Sequence, residues 1–258
     1  MSAFFELSGV TKNFGGVTAV DNMTFAIEKG ELAGLMGPNG AGKTTIFNLV
    51  TGVYPVDGGT ITFQGENLAR LKTYDIVHKG ISRTFQNLRL FQRSSVLENV
   101  MTAAQHGIPY SFIEGMTHLG RWRGKESDIK KKSMDLLERV ELADRAHQAA
   151  GTLPYGHQRR LEIARALALD PELLLLDEPA AGMNAEEVIS LNVLIRDLHR
   201  DFSLTILVIE HHMDLIMEIC PHIVCMNFGA KIAEGTPDEI QNHPEVLKAY
   251  LGEEDDDE

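Results

Sequence analysis

Short apolar runs alternate with helical patterns along most of the chain. In the first third, β-type runs are separated by glycine-rich turns; these runs are FFELSGV, MTFAI, LAGLM and TITF. Further on, residues 173–177 and 204–210 have the pattern of buried strands, and residues 185–200 between them have that of a helix. Residues 223–228 and 231–234 predict a hairpin. Strands that alternate with helices indicate an α/β fold with a mainly parallel sheet covered on both faces.

The middle of the chain has a different character. From about residue 87 to residue 150, the helical patterns SVLENVMTAAQ and KKKSMDLLERVELADRA flank a segment that contains glycine and proline, GIPYSFIEGMTHLGRWRG. This arrangement predicts helices inserted into the α/β domain. We therefore expect a single domain over residues 1–258, with a helical subdomain at about 87–165 and an acidic tail at 253–258.

Composition narrows the functional classes. The 258 residues carry a formal net charge of −13, which argues against nucleic acid as a main partner because such binding depends on neutralising phosphates. No apolar run approaches the roughly 18 residues of a membrane span. The start, MSAFFELSG, lacks the features of a secretion signal, and two cysteines fit a reducing compartment. We expect a cytosolic protein.

Two charged segments stand apart from this profile. Residues 253–258, EEDDDE, predict a solvated and disordered tail because like charges repel one another. A basic cluster surrounds Trp122, and it fits either a solvated loop and helix face or a surface near anionic lipid headgroups. The cluster consists of Arg121, Arg123, Lys125, Lys130, Lys131 and Lys132.

The most specific chemical motif follows the apolar run of residues 32–36. Residues 37–44, GPNGAGKT, fit the phosphate-loop pattern G-x-x-x-x-G-K-S/T. The glycines let successive backbone N–H groups turn inward around phosphate oxygens, while the lysine adds a point charge and the threonine hydroxyl can ligate Mg²⁺. The predicted contacts of a nucleoside triphosphate are Gly37, Pro38, Asn39, Gly40, Ala41, Gly42, Lys43, Thr44 and Thr45.

A second motif places carboxylates at the end of a buried strand. Asp177 follows four leucines, so we expect it at the carboxyl edge of the sheet, where it can hold the Mg²⁺ shell directly or through water. Glu178 is one residue further and points differently, which suits a general base that polarises an attacking water. Together with the phosphate loop, this motif predicts a nucleoside triphosphatase.

A third motif is the start of a helix at LPYGHQRR. A helix usually begins with a Ser, Thr, Asp or Asn side chain that accepts from its free backbone N–H groups, but here Pro154, Tyr155 and Gly156 stand at the start. An uncapped helix N-terminus can bind an anion through its N–H groups and its dipole. Asp170-Pro171 predicts the end of this helix.

These motifs together resemble the ATP-binding cassette (ABC) ATPases. The phosphate loop, Gln86, LPYGHQRRLEIARAL, LLLLDEP and His211 occur in the order and spacing of that family, over residues 4–252. Within the family, ISRTFQNLRLF, DEPAAGMN, IEHHMDL and YLGE are most similar to the ATPases of bacterial branched-chain amino acid importers. The resemblance implies a RecA-like phosphate-loop fold with a mainly parallel sheet, an antiparallel β subdomain and the helical insertion.

The resemblance also implies a head-to-tail dimer that holds two ATP molecules with Mg²⁺. Each ATP would lie between the phosphate loop of one subunit and the start of the LPYG helix of the other. In this reading Phe14 stacks on adenine, and Tyr155, Gly156 and His157 contact ATP in trans. Gln86 senses Mg²⁺ and the attacking water, and His211 contacts the γ-phosphate. The implied catalytic residues are Glu178, His211 and Gln86, and the implied Mg²⁺ residues are Thr44, Gln86 and Asp177.

Three positions differ from the pattern of the family that the chain resembles. Pro154 stands where a serine usually bonds the γ-phosphate, and His157 stands where glutamine is common. Proline offers neither a hydroxyl nor an N–H group, while a protonated His157 could supply part of the missing donation. Asn184 stands where aspartate is usual in the loop after the catalytic glutamate.

Two other clusters are poor metal sites. In Glu210-His211-His212, adjacent side chains at a strand end point in opposing directions. The pair Cys220 and Cys225 lacks a second ligand pair at zinc-site spacing. We therefore expect no protein-bound metal apart from Mg²⁺ with ATP.

The resemblance favours the energy-coupling subunit of an importer, peripheral on the inner face of the cell membrane. Its partners would be a second ABC ATPase subunit, identical or not, separate permease subunits and, indirectly, a periplasmic or extracellular substrate-binding protein. A soluble ABC ATPase acting on chromosomes or ribosomes is an alternative, although such relatives carry a long coiled coil or two cassettes. An exporter or lipid-transport ATPase is a third possible function, because such proteins share every catalytic residue.

Overall fold

The computed structural model describes residues 3–106, 121–210 and 213–251. Within these ranges the strands are β1 Phe5–Phe14, β2 Val17–Ile27, β3 Leu32–Met36, β4 Gly58–Phe63, β5 Glu66–Asn67, β6 Ile81–Arg83, β7 Leu173–Asp177, β8 Thr205–Glu210, β9 His222–Asn227 and β10 Ala230–Gly235. The helices are α1 Lys43–Val50, α2 Thr73–His78, α3 Val96–Ala104, α4 Arg121–Arg139, α5 Tyr155–Leu167, α6 Ala185–Phe202, α7 Met213–Ile219, α8 Pro237–Gln241 and α9 Pro244–Leu251.

The strands form two sheets. The larger has the order β10-β9-β3-β8-β7-β6; it is parallel from β9 to β6, and β10 joins its edge as the antiparallel arm of the predicted hairpin. The smaller sheet is antiparallel, with the order β2-β1-β4-β5. The predicted α/β architecture with an antiparallel β subdomain is therefore confirmed.

The leucine run of β7 is apolar because both faces of the large sheet are covered. Leu174 and Leu176 pack into a core with helices α3 to α7, whereas Leu173 and Leu175 pack into a second core with α1 and the small sheet. Residues of β8 alternate in the same way. A parallel strand covered on both sides needs apolar residues at consecutive positions, which explains why the run lacks the polar alternation of a half-exposed strand.

The residues after Gln86 form a group of helices, as the pattern predicted, but the long second pattern is not one helix. Helix α4 ends at Arg139, and Glu141 adopts the left-handed conformation with φ 59°. A short 3₁₀ turn, Ala143–Arg145, follows. Helix α3 packs against both α4 and α5. The helices that follow Gln86 are therefore shorter than the periodicity of the sequence alone suggests.

Lys132 of the basic cluster contacts the end of α5. Lys132 Nζ donates to Ala168 O at 3.0 Å, at the end of α5, and to Asp170 Oδ2 at 2.5 Å. A lysine at a helix C-terminus satisfies free carbonyl groups and complements the helix dipole. Helix α5 ends at Leu167, and Asp170, with φ 53°, turns the chain away three residues later, close to the predicted end at Asp170-Pro171. Lys132 therefore has a structural role at the end of α5 in addition to lying on a partly exposed helix face.

Candidate nucleotide-binding site

The phosphate loop connects β3 to α1 at the carboxyl edge of the large sheet. Gly42 is the N-cap residue of α1 and has φ 104°. Since glycine has no side chain, the N-cap residue gives the first N–H groups of the helix no side-chain acceptor. A Cβ atom on Gly42 would lie 2.3 Å from Ala19 O, so only glycine fits. Lys43 is buried, and its Nζ donates to the loop carbonyls of Gly37 and, at 2.9 Å, Pro38.

The loop lines a cavity of about 320 Å³. This volume lies at the lower end of the range for small-molecule pockets. Sequence reasoning missed the residues that the fold brings to its rim from β2 and from the β9–β10 turn. The lining comprises Val17, Thr18, Ala19, Asn39, Gly40, Ala41, Gly42, Lys43, Thr44, Thr45, Glu178, Phe228 and Gly229.

Phe14, the predicted adenine-stacking residue, lies beside this cavity. It ends β1, pairs in register with Val17 of the cavity lining, and is 40% exposed. Its ring contacts Tyr54 edge-on at 5.1 Å between centroids, and Lys12 Nζ lies 5.3 Å from its centroid. An exposed, edge-supported ring next to a phosphate site can accept a stacked base.

Asp177 ends β7 and is almost completely buried. Its Oδ2 accepts from Arg83 Nη2 at 2.6 Å, and its backbone N donates to Thr84 Oγ1 at 3.2 Å. Burial raises the pKa of Asp177, while Arg83 acts to lower it. The other oxygen, Oδ1, is buried without a hydrogen-bond partner in the part of the chain that the structure describes. A buried carboxylate oxygen without a partner is costly, so this atom fits a ligand of a hydrated Mg²⁺.

Glu178 and Gln86 meet at the cavity. Gln86 Nε2 donates to Glu178 Oε2 at 2.7 Å, and Glu178 lines the cavity beside the phosphate loop. Glu178 has a left-handed backbone, φ 46°, and its N–H donates to Ile209 O at 2.9 Å. The turn after β7 therefore separates the directions of the Asp177 and Glu178 side chains. His211 lies outside the described residues; β8, which ends directly before it, lies between β3 and β7.

The start of α5 is uncapped, as predicted. Pro154 occupies the N-cap position without a side-chain hydrogen bond. Gly156 and His157 line a separate cavity of about 270 Å³ with Glu187 of α6. A Cβ atom on Gly156 would approach Glu187 Oε1 to 2.9 Å, so the Glu187 side chain lies directly against the glycine. The two cavities share no residue among those described as lining them, so Gly156 and His157 are not brought to the phosphate loop of their own chain.

Two of the three positions that differ from the family pattern, His157 and Asn184, have well-defined local environments. Burial, followed by the charges of Arg145 and Arg160, lowers the pKa of His157, so a neutral imidazole is favoured near pH 7. Asn184 caps α6, since its Oδ1 accepts from Glu187 N at 3.0 Å. Glu187 Oε2 in turn accepts from Asn184 N at 3.0 Å. Both side chains thus shape the wall that faces the start of α5.

The described ranges hold neither a metal cluster nor a membrane-spanning helix. These ranges contain no cluster of three or more His, Cys, Asp or Glu side chains arranged to hold a metal ion. Cys220 and Cys225 are both free and buried, and burial raises the pKa of Cys225 to about 12. Among the described helices, none combines the length and the apolar character needed to cross a membrane.

Comparison with known proteins agrees with this geometry. Residues 20–181 match the ABC transporter family, and residues 230–256 match a family described as branched-chain amino acid ATP-binding cassette transporter. The chain is 44% identical to the high-affinity branched-chain amino acid transport ATP-binding protein BraF of Pseudomonas aeruginosa, over 96% of this chain and 97% of that one. It is 42% identical to the transport ATP-binding protein LivG of Escherichia coli K12, with the same coverage.

Solved structures show the same architecture. The ADP conformation of an ATP-binding cassette from an ABC transporter superposes with a TM-score of 0.85 at 28% identity, covering 98% of this chain and 100% of that one. A nucleotide-free cassette from an ABC transporter gives a TM-score of 0.83 at 29% identity, covering 96% and 99%. The chain belongs to the ABC transporter family and is one of its nucleotide-binding ATPase cassettes.

Proposed function

We propose that the chain is the ATP-hydrolysing subunit of an importer of branched-chain or related amino acids. The observation that carries the catalytic part is the contact between Gln86 and Glu178 at the cavity lined by the phosphate loop. The substrate class is supported by the match of residues 230–256 and by relatives whose names state branched-chain amino acid transport.

In this proposal the phosphate loop holds the triphosphate. Backbone N–H groups of the loop residues other than Pro38, which has none, and of the start of α1 surround the β- and γ-phosphates. Lys43 exchanges its bonds to Gly37 O and Pro38 O for phosphate oxygens. Phe14 stacks on the adenine from the end of β1. Val17, Thr18 and Ala19 then form the wall between base and phosphates.

Glu178 is the proposed general base. Its carboxylate orients and polarises the water that attacks the γ-phosphate, and Gln86 fixes one carboxylate oxygen by donating to it. Thr44, Gln86 and Asp177 would hold Mg²⁺, either directly or through water. Asp177 Oδ1, which has no hydrogen-bond partner among the described residues, supports this assignment. A bound Mg²⁺ would neutralise charge on the phosphate oxygens. We retain His211 as the proposed γ-phosphate contact on the sequence pattern alone.

The complete site requires a second ATPase subunit. Tyr155, Gly156 and His157 lie at an uncapped helix start away from the phosphate loop of their own chain, and we assign them to the ATP of a head-to-tail partner. The helices that follow Gln86, over about residues 87–165, form the subdomain that would dock on cytosolic loops of separate permease subunits. Closure of the dimer on ATP would move this subdomain, and hydrolysis would reset it.

The test is reconstitution. The chain is co-purified with its membrane subunits and their substrate-binding protein, and ATP hydrolysis is measured with each of the common amino acids. We expect leucine, isoleucine or valine to stimulate hydrolysis and glutamate or lysine to leave it at the basal rate. Stimulation by an unrelated solute would refute the substrate assignment, while absence of any Mg²⁺-dependent hydrolysis would refute the catalytic one.

A further inference from the structure

Three side chains on one face of α5 bind the backbone around Gln86. Arg159, Glu162 and Arg165 recur every three residues, so they project from the same side of the helix. Arg159 and Glu162 are only 2% and 5% exposed. Arg165 donates to Arg89 O. The helix that begins at the LPYG motif is therefore bonded to the segment 85–89 over two turns.

The Arg159–Glu162 pair holds the peptide groups on both sides of Phe85. Arg159 Nη1 donates to Phe85 O at 2.7 Å, and its Nη2 donates to Gln86 O. Glu162 Oε1 accepts from Phe85 N at 3.3 Å, and its Oε2 accepts from Arg159 Nη1 at 3.1 Å. A planar guanidinium can bond two carbonyls in a fixed geometry, which an ammonium group cannot reproduce.

This clamp continues into the catalytic contact. The backbone of Gln86 is held by Arg159, and the side chain of the same residue donates to Glu178 at 2.7 Å. The position of α5 thus sets how far the Gln86 amide can reach toward the proposed base. We infer that Arg159 is a positioning residue that acts through Gln86 to orient the Glu178 carboxylate for ATP hydrolysis.

The inference rests on the proposed function, and it links the two nucleotides of the proposed dimer. Tyr155 and Gly156, at the start of α5, would meet the ATP of the partner, while Arg159, one turn later, holds the glutamine that serves the chain's own ATP. A small displacement of α5 on binding one ATP would then be transmitted to the other site.

The test compares ATP hydrolysis by the full chain, alone and with its membrane subunits, for wild type, Arg159→Gln, Arg159→Lys and Gln86→Ala. We expect Arg159→Gln to lower kcat by about ten- to a hundredfold, as for a reacting group displaced by about 1 Å, with the KM for ATP little changed because the phosphate loop is intact. Arg159→Lys should recover only part of the loss. In the Gln86→Ala background, Arg159→Gln should add little, because both changes remove the same contact.

A matched control removes a guanidinium elsewhere on the helical face. Arg139→Gln breaks an ion pair with Asp201 but touches nothing around Gln86, and it should keep wild-type kcat. An unchanged kcat in folded Arg159→Gln, or equal losses with and without Gln86, would overturn the inference. If Arg159→Gln does not fold, Arg159→Lys and Glu162→Gln provide the same comparison.

A second readout does not depend on activity. Amide hydrogen exchange of residues 84–91 should be faster in Arg159→Lys than in wild type, while exchange in β3 and β7 stays the same. Equal exchange in segment 84–91 would overturn the link even if the wild-type chain hydrolysed no ATP. Absence of wild-type hydrolysis would by itself refute the proposed function rather than the clamp.

Discussion

Arg83 and Asp177 form a buried ion pair, 2.6 Å apart, although they are 94 residues apart in the chain. Arg83 ends β6 and Asp177 ends β7, so parallel pairing of these strands brings the two charges to the same edge of the sheet. Arg83 also donates to Asn48 Oδ1 of α1 at 2.8 Å. The carboxylate assigned to Mg²⁺ is thus oriented from the side by a residue that also contacts the helix after the phosphate loop.

Replacing Arg83 by methionine should destabilise the fold strongly. The change leaves the Asp177 carboxylate buried without its counter-ion, and breaking such a pair typically costs about 3–5 kcal/mol. Burial raises the folded-state pKa of Asp177 and Arg83 acts to lower it, so this pKa is higher still in the variant. The cost is therefore complete above the folded-state pKa of the variant and is lost as the pH falls through that value toward the folded-state pKa of wild type, where Asp177 is protonated in both proteins. Urea unfolding at several pH values measures it. A loss that stayed constant on acidification would contradict this account.

Replacing Glu178 by glutamine should separate binding from hydrolysis. The amide keeps the shape of the side chain but cannot accept a proton, so kcat should fall by about 10²–10⁴-fold while ATP affinity stays near that of wild type. Phosphate release and binding of a fluorescent ATP analogue measure the two quantities. Glu66→Gln, which breaks only the exposed pair with Lys79, is the control and should hydrolyse ATP normally. A Glu178→Gln variant with the wild-type rate would exclude the general-base role.

A histidine between two carboxylates should make stability depend on pH. His222 Nδ1 lies 2.7 Å from Glu31 Oε1, and its Nε2 lies 3.1 Å from Glu234 Oε1. The hydrogen bond with Glu31 is the main cause that raises the pKa of His222. Burial acts to raise the pKa of Glu31, but hydrogen bonds from His222 and the Glu28 backbone hold it below its ordinary value.

The expected stabilisation therefore has a defined window. For His222 it is fully present below the unfolded pKa of about 6.5 and is lost as the pH rises through the higher folded pKa; for Glu31 it is lost as the pH falls through its depressed pKa. The free energy of unfolding of wild type should exceed that of His222→Asn by on the order of 1 kcal/mol near pH 6. The difference should be smaller near pH 9. Denaturant unfolding of both proteins measures this, and an advantage that grew toward pH 9 would refute it.

Replacing Pro154 by serine should strengthen the start of α5. Pro154 lies at the N-cap with φ −52° and ψ 152°, a conformation open to serine, whose hydroxyl can accept from the free N–H groups for about 1 kcal/mol. The same hydroxyl could bond the γ-phosphate of a partner's ATP, so ATP-dependent dimerisation or hydrolysis should rise. Thermal unfolding, gel filtration with ATP and phosphate release measure these effects.

Pro154→Ala is the matched control for that variant, because it restores the backbone N–H without adding a hydroxyl. A gain shared by both variants would assign the effect to the backbone. Greater stability of the serine variant with unchanged hydrolysis would show that the missing hydroxyl matters to the helix and not to the nucleotide.

The sequence predicted the parts of the site whose chemistry depends on local spacing. The phosphate loop lies between β3 and α1 because GPNGAGKT follows an apolar run, and the four leucines of β7 place Asp177 at a sheet edge for the same reason. The uncapped start of α5 also followed from three adjacent residues, 154–156. In each case the structural constraint and the residues that satisfy it are neighbours in the chain.

Contacts between distant segments could not be predicted in this way. Arg83 belongs to a three-residue strand, too short for a periodic pattern, and its partner becomes a neighbour only when β6 pairs with β7. Phe228 and Gly229 reach the cavity through the β9–β10 turn, which resembles any other hairpin turn in sequence. The left-handed Glu141 that ends the pattern of α4 carries no glycine or proline signal.

The cavity wall contributed by Ala19 has a mechanical consequence. Ala19 and Val17 belong to β2 of the small sheet, whereas Gly42 and Glu178 follow strands of the large sheet, and the described strands of the two sheets share no ladder. A nucleotide in this cavity would therefore contact residues associated with both sheets and link them. ATP at 100 times its Kd would raise the free energy of unfolding by about 2.7 kcal/mol. The nucleotide that the subunit hydrolyses would therefore also stabilise its fold.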